Sequence, residues 1–256
     1  MSGGLYSTMQ ITIGTIPRAF VGLHETKQKN ALISWLYIKP RPEIILLCDD
    51  PGVKSASQKF GCKFIPDIKR NPEFNNVPLI SDAFSRLQLE ATRDTICFMN
   101  TDIIVLEGLV KAAEQVAGEL SQFVIVGQRW DVDISLPVDF SSSWKSRIRD
   151  RVTQAGNLHA ACGIDYFLFS RGTIPEIPPF VVGSPGWDNW IIQELLRRDI
   201  PVIDATKTIS VVHQDAGRGW PAKGTEYNRE LAGGNGHGGF ISDSTWILDE
   251  KGLRRK

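Results

Sequence analysis

The stretch Thr95-Ile-Cys-Phe-Met-Asn-Thr-Asp102 decides the fold prediction for this chain. The run from Thr95 to Met99 is mostly apolar, as in a strand buried on both faces of a sheet. A polar turn that ends in a carboxylate follows directly. In open α/β sheets, ligands bind beyond the carboxyl ends of the strands. The stretch therefore predicts a central strand over Thr95–Asn100, with Asp102 at a ligand-binding edge.

The segments on either side alternate in the same way. Helical spacing, with Ala31, Leu32, Trp35 and Leu36 on one face, precedes Pro40. Strands are predicted over 10–16, 43–48, 63–68 and 123–126, and helices over 53–60, 78–91 and 106–120. This order predicts an α/β fold with a mostly parallel, Rossmann-like sheet flanked by helices on both faces. The loops after Ile16, Cys48 and Asn100 then meet at one edge.

The second half of the chain is less regular. Strands are predicted over 166–170, 202–204 and 209–213, and a helix over 188–198. Residues 129–138 are polar and broken, and glycine is dense from 233 to 239. We expect one domain over 1–256, because no linker is visible. Its 127–256 half is expected to end in a mobile segment.

Composition excludes several classes of protein. The 256 residues include 29 Lys and Arg against 29 Asp and Glu, so the net charge is zero. This balance argues against a nucleic-acid partner and against an acidic disordered chain. The four cysteines (48, 62, 97 and 162) lack zinc-site spacing and are predicted to be reduced thiols. Neither a secretory leader nor an apolar run of the roughly 18 residues that span a bilayer is present, so a cytoplasmic location is expected.

The turn Asn100-Thr-Asp102 indicates a cation site. Mg²⁺ and Mn²⁺ favour oxygen ligands, and Mg²⁺ typically takes one or two carboxylates with substrate phosphate oxygens and water. The alternative is that Asp102 only caps a helix that begins near Leu106.

With these segments in order, the chain resembles a GT-A-type, nucleotide-sugar-dependent glycosyltransferase of the bacterial family 2-like kind. The resemblance is carried by Gly14–Arg18, by Cys48-Asp49-Asp50, by the Asn100–Asp102 turn, and by blocks at 163–169, 186–190, 212–214 and 228–234. It implies a GT-A-like fold, a nucleoside-diphosphate-sugar donor and a Mn²⁺ or Mg²⁺ ion. The implied acceptor is a hydroxyl of a saccharide or of a lipid-linked molecule, as in polysaccharide biosynthesis. One departure is Asn100, where the family has Asp.

The resemblance also implies roles for individual residues. Asp102 and His213 would hold the cation, and Asp188 would be the general base of an inverting reaction. Donor contacts are implied for Thr15, Ile16, Pro17, Asp49, Asp50 and Asn100. Substrate contacts are implied for Asp165, Trp187, Asn189, Arg218 and Lys223, the last two toward the diphosphate.

Each of these roles has a structural alternative. Asp188 would otherwise be a helix N-cap, Asp165 a turn residue and His213 a structural histidine. Trp187 and Trp190 would form a wall for sugar stacking, or Trp190 would pack in the core. Arg218 and Lys223 would otherwise lie on a solvated surface. The basic segment Lys145–Arg151 would be solvated, or would face an anionic acceptor or the inner face of a membrane.

Two other functions compete with glycosyl transfer. A sugar-nucleotide nucleotidyltransferase has a similar sheet, but it usually carries a basic, glycine-rich loop after the first strand, and Thr15–Ala19 has no such loop. A catalytically inactive sugar- or nucleotide-binding module is the other alternative, because of Asn100. The oligomeric state is not predicted.

Overall fold

The computed structural model describes residues 9–214, 222–233 and 238–256. Its strands are β1 (Ile11–Thr15), β2 (Glu43–Leu47), β3 (Lys63–Ile65), β4 (Arg70–Asn71), β5 (Val77–Pro78), β6 (Thr95–Met99), β7 (Ile103–Glu107), β8 (Val124–Val126), β9 (Trp130–Asp131), β10 (Asn157–Leu158), β11 (Tyr166–Ser170), β12 (Val202–Asp204), β13 (Ser210–His213), β14 (Trp246–Asp249) and β15 (Gly252–Arg255). Its helices are α1 (Gly22–Leu36), α2 (Val53–Phe60), α3 (Ile80–Glu90), α4 (Leu109–Ala117), α5 (Trp144–Ala155), α6 (Trp187–Arg197) and α7 (Ala222–Leu231).

The main sheet has the strand order β15-β14-β12-β8-β11-β6-β1-β2-β3. Strands β6, β1, β2 and β3 run parallel to one another, and so do β8, β12 and β14. Strand β11 is antiparallel to both of its neighbours, and β15 is antiparallel to β14. The predicted α/β fold with a mostly parallel sheet is confirmed.

Helices cover both faces of this sheet, because alternate residues of each strand point to opposite sides. On β2, Ile44 and Leu46 belong to one buried cluster, whereas Ile45 and Leu47 belong to the other. Helices α1, α2 and α4 pack on the first face, and α3 and α6 pack on the second. Helix α2 has its predicted bounds and ends at Gly61, whose φ of 66° is the left-handed conformation of a helix C-terminus.

A second sheet, with the order β10-β9-β13-β7, lies beside the main one. Strand β7 joins the two layers: Ile103 and Val105 enter the first core cluster, and Ile104 and Leu106 pack with Trp144 and Ile148 of α5. The second sheet brings β9 and β13 next to the turn that follows β6.

The predicted helix over 106–120 is wrong in its first turn. Residues 103–107 form β7, which pairs antiparallel with β13, and the helix begins only after Gly108. The run Ile103-Ile-Val is β-branched and buried on both sides, which suits a strand. The basic segment Lys145–Arg151 lies in α5, and the C-terminal hairpin of β14 and β15 was not predicted.

In the described ranges, no helix combines the length and the apolar character needed to cross a bilayer. All four cysteines are free thiols, as predicted.

Candidate functional site

The site lies at the carboxyl ends of β6, β1 and β2, which are adjacent and parallel. Thr15, at the end of β1, is fully buried, and its Oγ1 lies 2.6 Å from Oγ1 of Thr101. This hydroxyl pair ties the end of β1 to the turn after β6. Pro17 is also buried, and its carbonyl accepts a hydrogen bond of 3.1 Å from Sγ of Cys48, so the loops after β1 and β2 are joined.

The end of β2 carries two paired carboxylates. Nη2 of Arg70 donates to Oδ1 of Asp49 at 2.7 Å and to Oδ1 of Asp50 at 2.6 Å. The side chain of Asp49 is 63% exposed, against 29% for Asp50. Asp49 therefore remains open to a ligand, whereas Arg70, which the sequence prediction did not include, fixes the position of both.

Asp102 and His213 meet, as the cation prediction requires. Oδ2 of Asp102 lies 3.3 Å from Nε2 of His213, at the end of β13. Asp102 sits in the turn between two strands, so it caps no helix. Burial would lower the pKa of His213, but the hydrogen bonds to Asp102 and Asp131 and the charge of Asp165 raise that pKa to about 10. The same imidazole holds the pKa of Asp102 below its ordinary value, against the effect of burial.

The other nitrogen of His213 is held by Asp131. Nδ1 of His213 lies 3.1 Å from Oδ1 of Asp131, and Nδ1 of His159 lies 2.6 Å from its Oδ2. Burial opposes ionisation of Asp131, yet its bonds to His213, Arg129 and His159 keep its pKa well below the ordinary value. A carboxylate on the far nitrogen is the usual way in which a metal-binding histidine is oriented.

Asn100 makes a different contact from the one implied for it. Its Nδ2 donates to Oδ1 of Asp165 at 2.8 Å, and Nη1 of Arg129 pairs with Oδ2 of Asp165. A carboxylate at position 100 would face the carboxylate of Asp165, so the amide suits this position. Arg129 also donates from Nε to Asp131 at 2.9 Å. A continuous series of polar side-chain contacts thus begins and ends at the turn after β6. We call it the polar ring; its members are Asp102, His213, Asp131, Arg129, Asp165 and Asn100.

Asp188 lies in the first turn of α6, and its helix has Gly186 as the N-cap residue, so the N-cap alternative does not hold. Its Oδ1 accepts a hydrogen bond of 3.3 Å from the Gly186 N–H. Burial, reinforced by the negative charge of Asp165, raises the pKa of Asp188 to about 6, against the backbone N–H groups of Asn189 and Ile164. A carboxyl group with this pKa takes up and releases a proton close to neutral pH, as a general base requires.

Two residues for which substrate contacts were predicted, Trp187 and Asn189, have protein partners in the structure. Trp187 is 7% exposed, and its ring centroid lies within 5.7 to 6.2 Å of those of Phe84, Phe98 and Phe167. Its ring therefore packs in the core and offers no wall for a sugar. Asn189 donates from Nδ2 to the carbonyls of Cys162 and Gly239, each at 3.0 Å.

The structure describes only some of the remaining residues that were predicted to belong to the site. Ile16 is half-buried beside the end of β1, and Asp165 adjoins the amino end of β11. Arg218 and residues 234–237 lie outside the described residues, and Lys223 lies in the first turn of α7. Sequence reasoning missed Arg129, Asp131 and His159, although the alternation of polar and apolar residues in Arg129-Trp-Asp-Val-Asp-Ile134 is typical of a strand.

The donor set fits a divalent cation. In the described part of the chain, no three or more His, Cys, Asp or Glu side chains converge on one point, so the protein would supply Asp102 and His213. An oxygen and a deprotonated imidazole nitrogen suit Mn²⁺, so the cation would have to displace the proton that the raised pKa of His213 keeps on the ring. The Asp102 side chain is 37% exposed to solvent, where phosphate oxygens and water would complete the shell.

Comparisons with known proteins find structural similarity only. No family model and no curated protein matches the chain. The chain resembles glucosyl-3-phosphoglycerate synthase from Mycobacterium tuberculosis, solved in complex with Mn²⁺, UDP and phosphoglyceric acid. The two align at 12% identity and a TM-score of 0.49, over 88% of this chain and 79% of that one.

Two solved chains of S. aureus TarS also match. TarS 1–349 aligns at 13% identity and a TM-score of 0.38, and a longer TarS chain aligns at 15% and 0.36. Both alignments cover 49% of this chain, but only 37% and 22% of the respective TarS chains.

Proposed function

We propose that this protein is a glycosyltransferase that moves a sugar from a nucleoside-diphosphate sugar to a hydroxyl acceptor with the help of Mn²⁺ or Mg²⁺. The observation that carries the proposal is the pair of Asp102 and His213 at the carboxyl edge of the sheet. The Asn100–Asp102 motif predicted a cation at this edge, and His213, which is 111 positions away in the sequence, lies beside it. The GT-A-like character of the sheet belongs to the same proposal.

The donor is proposed to lie over the ends of β1, β2 and β6. The backbone at Ile16 and Pro17 would contact the nucleoside, together with the carboxylates of Asp49 and Asp50. Arg70 holds both carboxylates in place. Thr15 and Asn100 would act indirectly, because Thr101 and Asp165 already bind their side chains. When bound, the cation would offset the negative charge that develops on the departing diphosphate.

Asp188 is proposed as the general base. The acceptor hydroxyl would give its proton to the Asp188 carboxylate as its oxygen attacks the anomeric carbon. The bond from that carbon to the diphosphate breaks in the same step, and the configuration inverts. The raised pKa of Asp188 supports this role, because the group is ionised at neutral pH and still basic enough to accept a proton.

The remaining features of the proposal are the acceptor, the substrate contacts and the place where the protein acts. The acceptor is a saccharide or a lipid-linked molecule in polysaccharide biosynthesis, and Asp165, Asn189, Arg218 and Lys223 stay candidates for contacts with the substrates. The chain would act as one catalytic domain in the cytoplasm. A peripheral membrane contact would use α5, where Arg149 pairs with Glu107 across 2.7 Å.

The test is release of nucleoside diphosphate from a panel of sugar donors, with Mn²⁺ or with a chelator. We expect turnover that needs the cation, and loss of turnover in Asp102→Ala. The matched control is Asp94→Ala, because the Asp94 side chain is 97% exposed. Turnover by Asp102→Ala at the wild-type rate would exclude the cation assignment.

The same experiment separates the alternatives when it also includes a nucleoside triphosphate with a sugar phosphate, and a measurement of donor binding. A nucleotidyltransferase would instead form nucleotide sugar and pyrophosphate from a nucleoside triphosphate and a sugar phosphate. An inactive module would bind donors without turnover across all acceptors. The contact between Asn100 and Asp165 gives this asparagine a structural reason, so its presence does not favour the inactive module.

A further inference from the structure

Arg129 is the member of the polar ring that joins Asp131 to Asp165, and it comes just before β9 in the sequence. Its side chain is only 12% exposed. It binds Asp131 through Nε and Asp165 through Nη1, and its Nη2 lies 3.3 Å from Nδ1 of His159. One rigid guanidinium therefore fixes two carboxylates from two different sheets, which the point charge of a lysine does not do.

The Asp131 side of this arrangement leads to the cation pair. Strands β9 and β13 are parallel, and Asp131 is the direct register partner of His213. Their side chains accordingly lie on the same face, where Asp131 holds Nδ1 of His213 and leaves Nε2 directed at Asp102. If Asp131 moved, His213 would lose the contact that fixes its ring.

The Asp165 side leads to the same turn from the opposite direction. Strands β11 and β6 are antiparallel, and the backbone N–H of Asn100 donates to the Asp165 carbonyl at 2.9 Å. The side chains repeat this contact through the amide of Asn100. Arg129 balances the charge of Asp165, which would otherwise be a buried carboxylate whose only described side-chain partner is neutral.

We propose that Arg129 is a positioning residue that holds Asp131 and Asp165 together and so keeps His213 and the Asn100–Asp102 turn in register for cation binding. This inference rests on the proposed function. Among the described hydrogen bonds, none joins Arg129 to Asp102 or His213, so it acts through the two carboxylates.

The test uses the full chain and Mn²⁺ alone, titrated by water-proton relaxation, with no turnover required. Three variants are compared: Arg129→Met, Arg129→Lys, and Arg197→Met as a control. Arg197 pairs on the surface with Glu194, which also has Arg198 as a partner. We expect Mn²⁺ affinity to fall about tenfold or more in Arg129→Met, the usual effect of losing a group that orients a metal ligand. Arg129→Lys falls between Arg129→Met and wild type, and the control matches wild type.

Wild-type Mn²⁺ affinity in both Arg129 variants would overturn the inference. If circular dichroism shows that Arg129→Met does not fold, the Mn²⁺ affinity of Arg129→Lys decides the inference. The lysine keeps the positive charge and loses only the guanidinium geometry that binds two carboxylates at once. If wild type itself binds no Mn²⁺, the cation part of the proposed function is wrong. Crystal structures of the Arg129 variants then decide the inference: separation of His213 from Asp102 supports it, and an unchanged 3.3 Å contact overturns it.

Discussion

For Asp188, the proposed general base, the surroundings predict how the proposed reaction depends on pH. A general base works only when it is ionised, and burial raises the pKa of Asp188 to about 6. We expect kcat/KM to rise with pH up to about 6 and then to level off. Asp188→Asn should lower kcat by about 10²- to 10⁴-fold, the usual contribution of a general base, and should lose this pH dependence. The same dependence of kcat/KM on pH in Asp188→Asn would contradict the proposal that Asp188 is the general base.

The same carboxylate should reduce stability at neutral pH. Its pKa is about 6 in the folded protein against an ordinary 3.8, so the folded state binds the proton more tightly than the unfolded state. Stability from this group is therefore present below 3.8 and is lost as the pH rises through 6. We expect Asp188→Asn to melt at a higher temperature than wild type well above this window and at a similar temperature below it. Thermal unfolding at the two pH values checks this, and an equal difference at both would contradict it.

Asn100 occupies a position where an aspartate would be unfavourable, because Asp165 lies beside it. In Asn100→Asp, two carboxylates would meet across a contact that is now 2.8 Å long. We expect a loss of unfolding free energy of about 1–3 kcal/mol, typical of a buried polar contact that becomes unsatisfied. The double variant Asn100→Asp with Asp165→Asn exchanges acceptor and donor, but it also removes the carboxylate that pairs with Arg129. It should therefore recover only part of that loss in urea denaturation. A double variant no more stable than Asn100→Asp would refute this explanation of the asparagine.

Among the elements, β7 shows where periodicity misleads. The apolar residues from Leu106 onward fit a helical stripe, yet Leu106 belongs to strand β7 and packs with α5. Pairing with β13 decides between the two, and that partner is about a hundred residues away, where no local pattern can indicate it. Strands β1, β2 and β6 were predicted to within two residues, because their apolar runs are bounded by clear turn residues.

Gly108, between β7 and α4, makes this change of element possible. Its φ is 91°, and a Cβ there would lie 2.0 Å from the carbonyl oxygen of Thr208. We expect Gly108→Ala to lose at least about 2 kcal/mol of unfolding free energy, from backbone strain and the clash together. Gly118→Ala, with a φ of −69° at the other end of the same helix, is the control and should be near neutral. Equal urea midpoints for the two variants would show that the backbone there is not constrained.

The candidate site was predictable only in part. The order of the motifs along the sequence was enough to select Asp102 and His213 as candidates for the cation site. The structure brings the two side chains together. The resemblance implied a substrate contact for Trp187, but the neighbours of its ring on β6, β11 and α3 are aromatic. Arg129 and Asp131 were missed because a two-residue strand gives a short signal, and their contacts cross between sheets.

At the scale of the whole molecule, Gln214 connects parts that the sequence separates widely. It is fully buried, and its Nε2 donates to the carbonyls of Lys27 and Asp102, while its Oε1 accepts from Asn30 at 2.9 Å. We expect Gln214→Leu to lose about 3 kcal/mol or more, since each buried group left without its partner costs about 1–3 kcal/mol. Gln193→Leu, at an exposed position on α6, is the control in chemical denaturation. A loss in Gln214→Leu no larger than in this control would contradict the bridging role.

These bridges also bear on the order in which the chain folds. The contact of Thr15 with Thr101 spans 86 residues, and that of Asn30 with Gln214 spans 184. We expect contacts over such separations to form late, because closing a long loop costs entropy before the contact repays it. The edge that would bind the donor is complete only after β13 has paired with β7. A partly folded or unfinished chain would then have much of its sheet but no centre able to consume an activated sugar.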